Sequence, residues 1–396
     1  MIAATIELEA AAARVWETVV IGAGPAGALA ARQAALPGSR VLLVDSKKFP
    51  REKVCGACLN GGALAILQSV GLGSVPERLG GKPLKKFNLR SDSRQATLRL
   101  PAGVAVSRYR FDAALVEEAI AAGADFLPET FSSVGDLSGS GSDECRLVSL
   151  KHREAPPRQT QARIIFAADG LGHASLHEYP DFASRVAENS RIGLGGQVHD
   201  YPAEYAAGTI FMAVGRDGYV GLVRVEDDRL NVAAALAPDF VKSAGGRGAA
   251  LAAVLARAGF PPIPAIHDAV WHGTIELARS AARVAGRRLL LLGDAAGYVE
   301  PFTGEGMAWA LSAAAASTPF VRRGAGDWDH VTEQDWTNAL QRIVLKRQRW
   351  CRWLSAALRH PLAVRSILTA VSLVPALAEP IVRDLNRAPA LGEPGT

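Results

Sequence analysis

Hydrophobic residues form unbroken runs in some parts of this chain and alternate with polar residues in others. Runs at 18–21, 41–44, 163–168 and 288–292, unbroken except for Thr18, Arg163 and Arg288 at their starts, predict strands that are buried on both faces. Alternating runs between about 172 and 280, such as 191–199 and 219–236, predict an antiparallel sheet with one covered face. Apolar helical stretches follow from about residue 308. The pattern therefore predicts an α/β fold with a second, antiparallel lobe.

A glycine-rich turn follows the first buried run. The sequence GAGPAG occupies positions 22–27 and precedes an alanine-rich helix. Gly22 permits a tight turn, Gly24 lets a pyrophosphate approach the backbone, and Gly27 lets the helix pack closely on the strand. Asp45 ends the next buried run, at a separation suited to hydrogen bonding an adenosine ribose. These features predict a dinucleotide site but do not distinguish NAD from FAD.

Two later buried runs also end in an acid beside a glycine, at Asp169-Gly170 and Gly293-Asp294. The carboxyl ends of parallel strands meet at one sheet edge, so we expect both pairs to lie near the glycine turn. A nicotinamide site does not need all three signals, whereas the longer FAD can contact each of them. The sequence therefore predicts FAD as the cofactor.

Two further segments resemble a known group of flavoproteins. They are PREKVCG at 50–56 and GDAAGYVEPFTGEGM at 293–307. They resemble the FAD-dependent superfamily of para-hydroxybenzoate hydroxylase, aromatic monooxygenases, flavin halogenases and geranylgeranyl reductases, and most of all its geranylgeranyl reductase-like group. The resemblance runs to about residue 320. It implies a Rossmann-like FAD-binding domain (a GR2-type flavoprotein) interleaved with an antiparallel-sheet substrate domain, plus C-terminal helices.

The resemblance also implies domain boundaries and a set of cofactor contacts. The FAD-binding domain would comprise residues 15–82, 101–190 and 280–325, the substrate domain 83–100 and 191–279, and the helical region 326–396. Arg108 would contact the FAD phosphate or ribose, Asp294 the ribityl or pyrophosphate region, and the backbone of 304–307 the pyrimidine edge of the flavin. The full predicted set is Gly22, Gly24, Pro25, Ala26, Gly27, Asp45, Ser46, Arg51, Lys53, Cys55, Gly56, Arg108, Asp169, Gly170, Gly293, Asp294, Pro301, Gly304, Glu305, Gly306 and Met307.

Cys55 and Cys58 form a C-x-x-C pair in the segment that follows the second buried strand. A zinc site would need a second ligand pair, but Cys145 and Cys351 are isolated, so no metal is predicted. Cys55 matches a cysteine of the geranylgeranyl reductase-like group, whereas Cys58 has no counterpart there. Two interpretations stay open: small packed residues at a helix start, or thiols that lie near the flavin and exchange electrons with it.

Three chemistries are open to such a flavoprotein: oxygen insertion, halogenation and double-bond reduction. The tryptophan-rich segment expected of a halogenase is absent. The strand at 218–225 retains Tyr219 but has Leu222 and Arg224 where the reductase group has aromatic residues and proline. Because this strand has diverged, the interpretation favours a monooxygenase of apolar aromatic or lipid-like molecules, with NAD(P)H as a transient electron donor. A double-bond reductase, a halogenase and a non-catalytic lipid escort protein are the alternatives, and Cys55, Tyr219 and Arg224 are the candidate catalytic residues.

Composition bears mainly on partners and location. The net charge of +5 is not concentrated on a basic face interleaved with aromatics, so we expect no nucleic-acid partner. The N-terminus has no basic start, and four cysteines in 396 residues suit a reducing compartment, so a cytoplasmic protein is expected. A basic, tryptophan-containing segment at 346–353 either packs on the FAD domain or contacts a membrane surface peripherally.

Overall fold

The structure is a computed structural model that describes residues 1–92, 94–300, 302, 304–326 and 328–387. Two large sheets dominate the described part of the chain. We call them the first sheet, which contains the glycine turn at its edge, and the second sheet, which forms most of the middle lobe. The cavity described below lies between them.

Within the described residues, the first sheet has eight strands. They are Val15–Ile21, Val41–Val44, Asp125–Leu127, Thr130–Ser138, Cys145–His152, Arg158–Ala167, Ala285–Gly286 and Leu289–Leu291. Val15–Ile21 runs parallel to both Val41–Val44 and Arg158–Ala167, and Leu289–Leu291 extends the parallel set. Every residue of Val41–Val44 and Leu289–Leu291 is buried, because helices and neighbouring elements cover both faces of the sheet.

The second sheet has seven strands in the part of the chain that the structure describes. They are Lys86–Ser91, Arg94–Arg99, Ile192–Val198, Thr209–Gly215, Gly218–Arg224, Leu230–Leu236 and His272–Glu276. Its pairings are antiparallel except for Thr209–Gly215 against Lys86–Ser91. One face packs on the helix Arg247–Arg257, and the other faces the cavity.

Two small sheets and twelve α-helices complete the described structure. The small sheets consist of Cys58–Asn60, Lys82–Pro83 and Gly103–Ala105, and of Ser184–Val186, Arg279–Ala281 and Gly297–Tyr298. The helices are Leu8–Ala12, Pro25–Ala35, Gly61–Ser69, Val75–Arg78, Arg108–Ala121, Pro238–Ser243, Arg247–Arg257, Gly306–Ala325, His330–Leu340, Lys346–Ala357, Pro361–Leu373 and Glu379–Leu385. A π-helical turn at Gln341–Leu345 links two of the C-terminal helices.

The C-terminal helices return to the body of the protein. Pro361–Leu373 packs on the edge strand Arg94–Arg99 of the second sheet. The amide of Gly61 donates to Asn386 Oδ1 at 2.8 Å, and Asn60 Nδ2 donates to the carbonyl of Leu385 at 3.0 Å. These contacts hold the last described helix against the start of helix Gly61–Ser69.

The predicted fold class is confirmed: a Rossmann-like sheet, a largely antiparallel second sheet and C-terminal helices are all present. The three domain boundaries remain a prediction. Among the described residues, no single helix is long and apolar enough to cross a membrane. The pair Leu362–Leu373 and Pro375–Leu385 meets the length and composition criteria only when taken together, and it is bent by 119°.

Candidate cofactor and substrate site

A cavity of about 650 Å³ lies between the two sheets and extends to the C-terminal helices. One end is polar and lies at the glycine turn. The other end, which we call the apolar arm, lies between the second sheet and the helices Lys346–Ala357, Pro361–Leu373 and Glu379–Leu385. The two ends differ in chemistry and are described in turn.

The glycine turn has the geometry that its sequence predicts. Gly22 has φ +100°, and a Cβ there would lie 2.3 Å from the carbonyl oxygen of Ala168. A Cβ on Gly27 would lie 1.8 Å from the carbonyl oxygen of Gly22, so the helix Pro25–Ala35 can approach the turn only with glycine here. Gly24 precedes this helix and no side chain caps it, which leaves the first backbone N–H groups directed at the cavity.

Three cationic side chains, Arg51, Lys53 and Arg108, line the cavity beside Gly24, and we call them the basic cluster. The guanidinium nitrogens Nη2 of Arg108 and Arg51 lie 3.6 and 3.7 Å from the position that a Cβ on Gly24 would take. Arg108 forms a bidentate pair with buried Asp112, with N–O distances of 2.5 and 2.7 Å. This pairing orients Arg108 towards the turn.

Arg51 also contacts Asp112. The surroundings of the Arg51 guanidinium show whether a cofactor phosphate fits at this end of the cavity. Its Nη1 lies 3.2 Å from Asp112 Oδ2, and its guanidinium stacks on Phe49. Nη1 is buried and, apart from this ion pair, makes no hydrogen bond among the described residues, so its N–H groups can still donate to a further anion. The basic cluster and the helix N-terminus therefore fit a pyrophosphate.

Asp45 is located at the end of Val41–Val44, as predicted, and it lines the cavity next to Ser46. Its Oδ2 accepts from the amide of Ala23 at 2.8 Å, and its Oδ1 accepts from the amide of Lys47 at 2.9 Å. A carboxylate oxygen has more than one lone pair, so each can still accept from a ribose hydroxyl. Asp45 thus fixes the shape of the glycine turn in addition to its predicted cofactor contact.

The other two acid–glycine pairs reach the same cavity. Asp169 Oδ2 accepts from the amide of Ser175 at 2.8 Å, while its buried Oδ1 lacks a partner in the described chain. Asp294 lies in the cavity wall, where burial raises the pKa of its carboxyl while Lys53 and Arg108 oppose the rise. Enclosure by the surrounding chain and the neighbouring Arg108 lower the pKa of Lys53, although its ammonium faces the cavity.

Cys55, Gly56 and Cys58 line the middle of the cavity. The Cys58 thiol donates to the carbonyl of Gly56 at 3.1 Å, and a Cβ on Gly304 would lie 3.9 Å from the Cβ of Cys58. Enclosure, with a smaller contribution from Cys55, raises the pKa of the Cys58 thiol, so it stays protonated at neutral pH. All four cysteines are free thiols. Within the described residues, no group of three or more His, Cys, Asp or Glu side chains could hold a metal ion.

The segment after Asp294 is placed against the same part of the cavity. Gly304, Gly306 and Met307 line it, at the start of helix Gly306–Ala325. The Glu305 side chain instead is buried in the protein, where it accepts from the Cys351 thiol at 3.0 Å. Gly27 likewise does not line the cavity and acts through helix packing. Pro301 lies outside the described residues.

The apolar arm is lined by aliphatic and aromatic side chains. The second sheet and its neighbours supply Leu84, Phe87, Leu89, Ala96, Leu98, Ile210, Met212, Tyr219, Val223 and Phe302, and the C-terminal helices supply Leu354, Leu368, Val371, Leu377, Ile381 and Leu385. None of the described lining residues from the second sheet or the C-terminal helices carries a charge. Such an arm suits a long apolar ligand.

Two tyrosines stand where the polar and apolar parts meet. Tyr219 lines the cavity and packs edge-to-face on Phe302, with ring centroids 5.1 Å apart. Tyr298 lies close enough to Asp294, Tyr219 and Cys55 for their charges to influence it. Burial raises the pKa of both phenols well above the ordinary value, so each keeps its proton. Tyr298 was not among the predicted site residues, although it lies within the motif at 293–307 that was identified from the sequence.

Arg224 does not face the cavity, which corrects its candidacy as a catalytic residue. Along Gly218–Arg224, Tyr219 and Val223 line the cavity, whereas Val220 belongs to the core beneath helix Arg247–Arg257 and Arg224 is not part of the cavity lining. Its guanidinium lies 3.3 Å from Asp228 and stacks on Tyr201. Of the three candidates, Cys55 and Tyr219 line the cavity and Arg224 does not.

The segment 346–353 had two open interpretations, packing on the protein and peripheral contact with a membrane. In the helix Lys346–Ala357, Gln348 and Cys351 are buried and Leu354 lines the apolar arm, so part of this helix packs inward. The C-terminal helices were expected, if anything, to contact a membrane peripherally and were not assigned to the substrate cavity, yet those after residue 360 close the arm. The apolar composition of these helices was the only sequence feature that could have indicated this role.

Comparison with known proteins agrees with this geometry. Residues 16–180 match the family model described as an FAD binding domain. The chain is 50% identical over 58 residues to menaquinone reductase of Mycolicibacterium smegmatis, which covers 15% of this chain and only 14% of that protein. It is 25% identical over 339 residues, 79% of each protein, to digeranylgeranylglycerophospholipid reductase 2 of Methanosphaera stadtmanae.

Among solved structures, the flavin-dependent brominase Bmp2 superposes with a TM-score of 0.75 at 16% identity, over 94% of both chains. At this identity the likeness shows the fold alone. Together, the comparisons show an FAD binding domain over residues 16–180 and the fold of a flavoprotein, and the similarity to digeranylgeranylglycerophospholipid reductase 2 agrees with the resemblance to the geranylgeranyl reductase-like group.

Proposed function

We propose that the chain reduces carbon–carbon double bonds in a long apolar molecule of isoprenoid type, using FAD that NAD(P)H reduces. The observation that carries this proposal is the apolar arm, which is continuous with the polar end of the cavity and has no charged side chain among its described lining. A polar substrate would leave its polar groups without partners there. Relatives named as reductases of menaquinone and of a digeranylgeranyl lipid support the same substrate class.

The chain's own residues bind and orient the cofactor in this proposal. The basic cluster and the N-terminus of Pro25–Ala35 hold the pyrophosphate, and Asp45 holds the ribose. Backbone N–H groups at the start of Gly306–Ala325 stabilise negative charge at the pyrimidine edge. Bound FAD supplies the hydride for the reaction, and the protein must supply a proton.

Tyr298 is the residue that we assign to hold this proton. Its phenol stays protonated at neutral pH and lies between the acidic and apolar parts of the cavity. Tyr219 is the neighbouring phenol, but its ring is fixed in the aromatic contact with Phe302 and lies further along the arm's wall. Tyr298 therefore donates its Oη proton, and Tyr219 shapes the arm.

Oxygen insertion, which the sequence interpretation favoured, is the second candidate function. The edge-to-face contacts of Phe302 with Phe87 and with Tyr219 form an aromatic surface in the cavity, which would pack well on an aromatic substrate ring. A quinone-type ring bearing an isoprenoid chain would use both this surface and the apolar arm.

Product mass separates these functions. FAD-loaded protein would be reduced with NADPH or, in parallel, dithionite, and incubated with a polyprenyl alcohol or a menaquinone, with and without oxygen. Addition of two hydrogen atoms in the absence of oxygen supports the proposal if it requires the protein and persists after any quinol has been reoxidised in air, because the hydrogen atoms then lie on the isoprenoid chain and not on the quinone ring. Addition of one oxygen atom, only when oxygen is present, would replace it with a monooxygenase, and a halogenated product in the presence of bromide would indicate a halogenase. Protein that does not acquire FAD absorbance under any of these conditions contradicts all three.

A further inference from the structure

The C-terminal helices expose large apolar side chains on the outside of the protein. Trp353, Leu362, Leu373, Leu377 and Ile381 are between 57% and 78% exposed, and Val374 is 49% exposed. We call these six residues the C-terminal surface. Scattered exposed apolar residues are ordinary, but a group on one short stretch of chain marks an interaction site.

Electric charge identifies the kind of partner. Seven of the 44 basic residues and none of the 39 acidic residues lie between positions 336 and 378, which leaves 37 basic and 39 acidic residues elsewhere. The positive net charge of the whole chain is thus confined to this segment. Arg349, Arg352 and Arg365 are exposed on the helices that carry the C-terminal surface. Among the described residues after position 378, the exposed acids are Glu379 and Asp384, beside Arg383 and Arg387.

This charge disfavours a second copy of the chain as the partner. In a two-fold dimer the same patch meets itself, so the acid-free basic segments of two copies would face each other and repel. An anionic lipid surface attracts the same groups, at about 1 kcal/mol for each Lys or Arg near it. Apolar side chains surrounded by arginines match the headgroup and acyl layers of such a surface.

The cavity opens at the same place. Ile367, Leu377 and Ile381 line the apolar arm and are also exposed to the outside, so they form its mouth. Leu377 and Ile381 belong to the C-terminal surface as well. The bend of 119° between the two helices is suited to lying on a bilayer rather than to crossing it.

We propose that the C-terminal surface docks on an anionic lipid bilayer and so places the mouth of the apolar arm against the hydrocarbon layer. The structure assigns this docking to Trp353 and to residues 362–381 rather than to the 346–353 segment alone. The docking does not depend on the reaction. The additional consequence, that substrate enters directly from the membrane, rests on the proposed function.

Vesicle binding of the full chain tests the docking without any substrate. Sedimentation with vesicles of phosphatidylcholine, and with vesicles that also contain phosphatidylglycerol, should show binding mainly to the second kind, and added salt should weaken it. Leu362→Glu/Leu373→Glu should reduce binding about 100-fold because two apolar anchors are lost and two negative charges gained. Arg352→Gln/Arg365→Gln should reduce binding to anionic vesicles about 25-fold.

Val270→Glu/Val331→Glu is the matched control, since these valines are 74% and 60% exposed but lie outside the C-terminal surface. It should bind vesicles as the unaltered chain does. An equal loss of vesicle binding in the control and in Leu362→Glu/Leu373→Glu would overturn the proposal. So would a chain that ignores vesicles but forms dimers that Leu362→Glu/Leu373→Glu separates, because the surface would then join two copies. Since no substrate is present, none of these results depends on the reaction.

Discussion

At the residue scale, a few polar side chains determine what this cavity can bind. The basic cluster is held in position by buried acids, and its donors converge on the glycine turn. Arg51 differs from Arg108 because only Arg108 makes the bidentate pair with Asp112. Arg51 can therefore be altered without leaving Asp112 as an uncompensated buried charge.

The variant Arg51→Met should bind FAD about 10- to 100-fold more weakly, because a charge-assisted hydrogen bond to phosphate is lost. Quenching of flavin fluorescence in a titration of the apo protein measures this affinity. Arg51→Lys retains the positive charge but loses the planar guanidinium, so its FAD affinity should lie between those of the unaltered chain and of Arg51→Met. Arg14→Met is the control, because Arg14 is exposed and pairs with Asp125 away from the cavity. An unchanged affinity in Arg51→Met would remove Arg51 from the cofactor site.

The variant Tyr298→Phe should lower kcat about 100-fold or more at saturating FAD while leaving FAD affinity unchanged, because a positioned proton donor is lost. Tyr219→Phe should affect kcat much less, since its ring contact with Phe302 is retained. The Tyr298 phenol has its pKa raised above 10.0, so its acid form persists up to that pH and is lost only above it. The unaltered enzyme should therefore keep its kcat as the pH rises to about 10. An equal loss of kcat in Tyr298→Phe and Tyr219→Phe would contradict the assignment of proton donation to Tyr298.

At the scale of elements, the glycine turn joins three parts of the first sheet. It follows strand Val15–Ile21, begins helix Pro25–Ala35 and touches the end of strand Arg158–Ala167 through Ala168. The backbone conformation of Gly22 and the small space around it are two separate requirements for glycine. Gly38 allows them to be separated, because it also has positive φ, at +90°, but no atom would lie within 4 Å of its Cβ.

Gly38→Ala should lower the free energy of unfolding by about 1 to 2 kcal/mol, which is the cost of positive φ alone. Gly22→Ala should lower it by about 3 kcal/mol or more, because its Cβ would also meet the Ala168 carbonyl. Urea unfolding of both apo variants, followed by tryptophan fluorescence, gives the two values. An equal loss of unfolding free energy in Gly22→Ala and Gly38→Ala would mean that the end of strand Arg158–Ala167 can move away from the glycine turn.

At the scale of the whole molecule, sheets and helices distant in sequence together form one cavity. Its polar end belongs to the first sheet, its wall to the second sheet, and its mouth to the helices after residue 360. The mouth and the C-terminal surface coincide, which links the way substrate enters to the way the protein docks. A narrower arm should therefore exclude long substrate chains, which must pass along it, and leave short ones unaffected.

Val371 and Ala370 test this on one helix, because Val371 lines the arm and Ala370 is exposed and does not. Val371→Phe should narrow the arm and raise KM for long polyprenyl substrates about tenfold, with little change for short ones, because steric exclusion acts only on chains that pass this point. Ala370→Phe should leave both KM values unchanged. Measured KM values that rise equally for long and short chains would place Val371 outside the route of the substrate.

The sequence by itself determined the parts of this protein that depend on neighbouring residues. The glycine turn, the buried parallel strands and the acids at their ends follow from local backbone geometry and from burial on both faces of a strand. The FAD class of the site follows from the same local features, because each supplies its own part of the cofactor contact. For this reason Gly22, Gly24, Asp45 and Asp294 could be found before the structure, whereas Arg108 came only from the resemblance to the geranylgeranyl reductase-like group.

Only the tertiary structure decided which distant residues share a space. Arg224 faces away from the cavity because of the register of its strand against helix Arg247–Arg257, and a register is set by packing over the whole sheet. Tyr298 and Tyr219 share one hydrophobic cluster, and the helix Pro361–Leu373 closes the apolar arm, through packing between residues far apart in the chain. The sequence pattern marks those helices as apolar, but burial against strand Arg94–Arg99 divides them into an inner face that lines the arm and an outer face that forms the C-terminal surface.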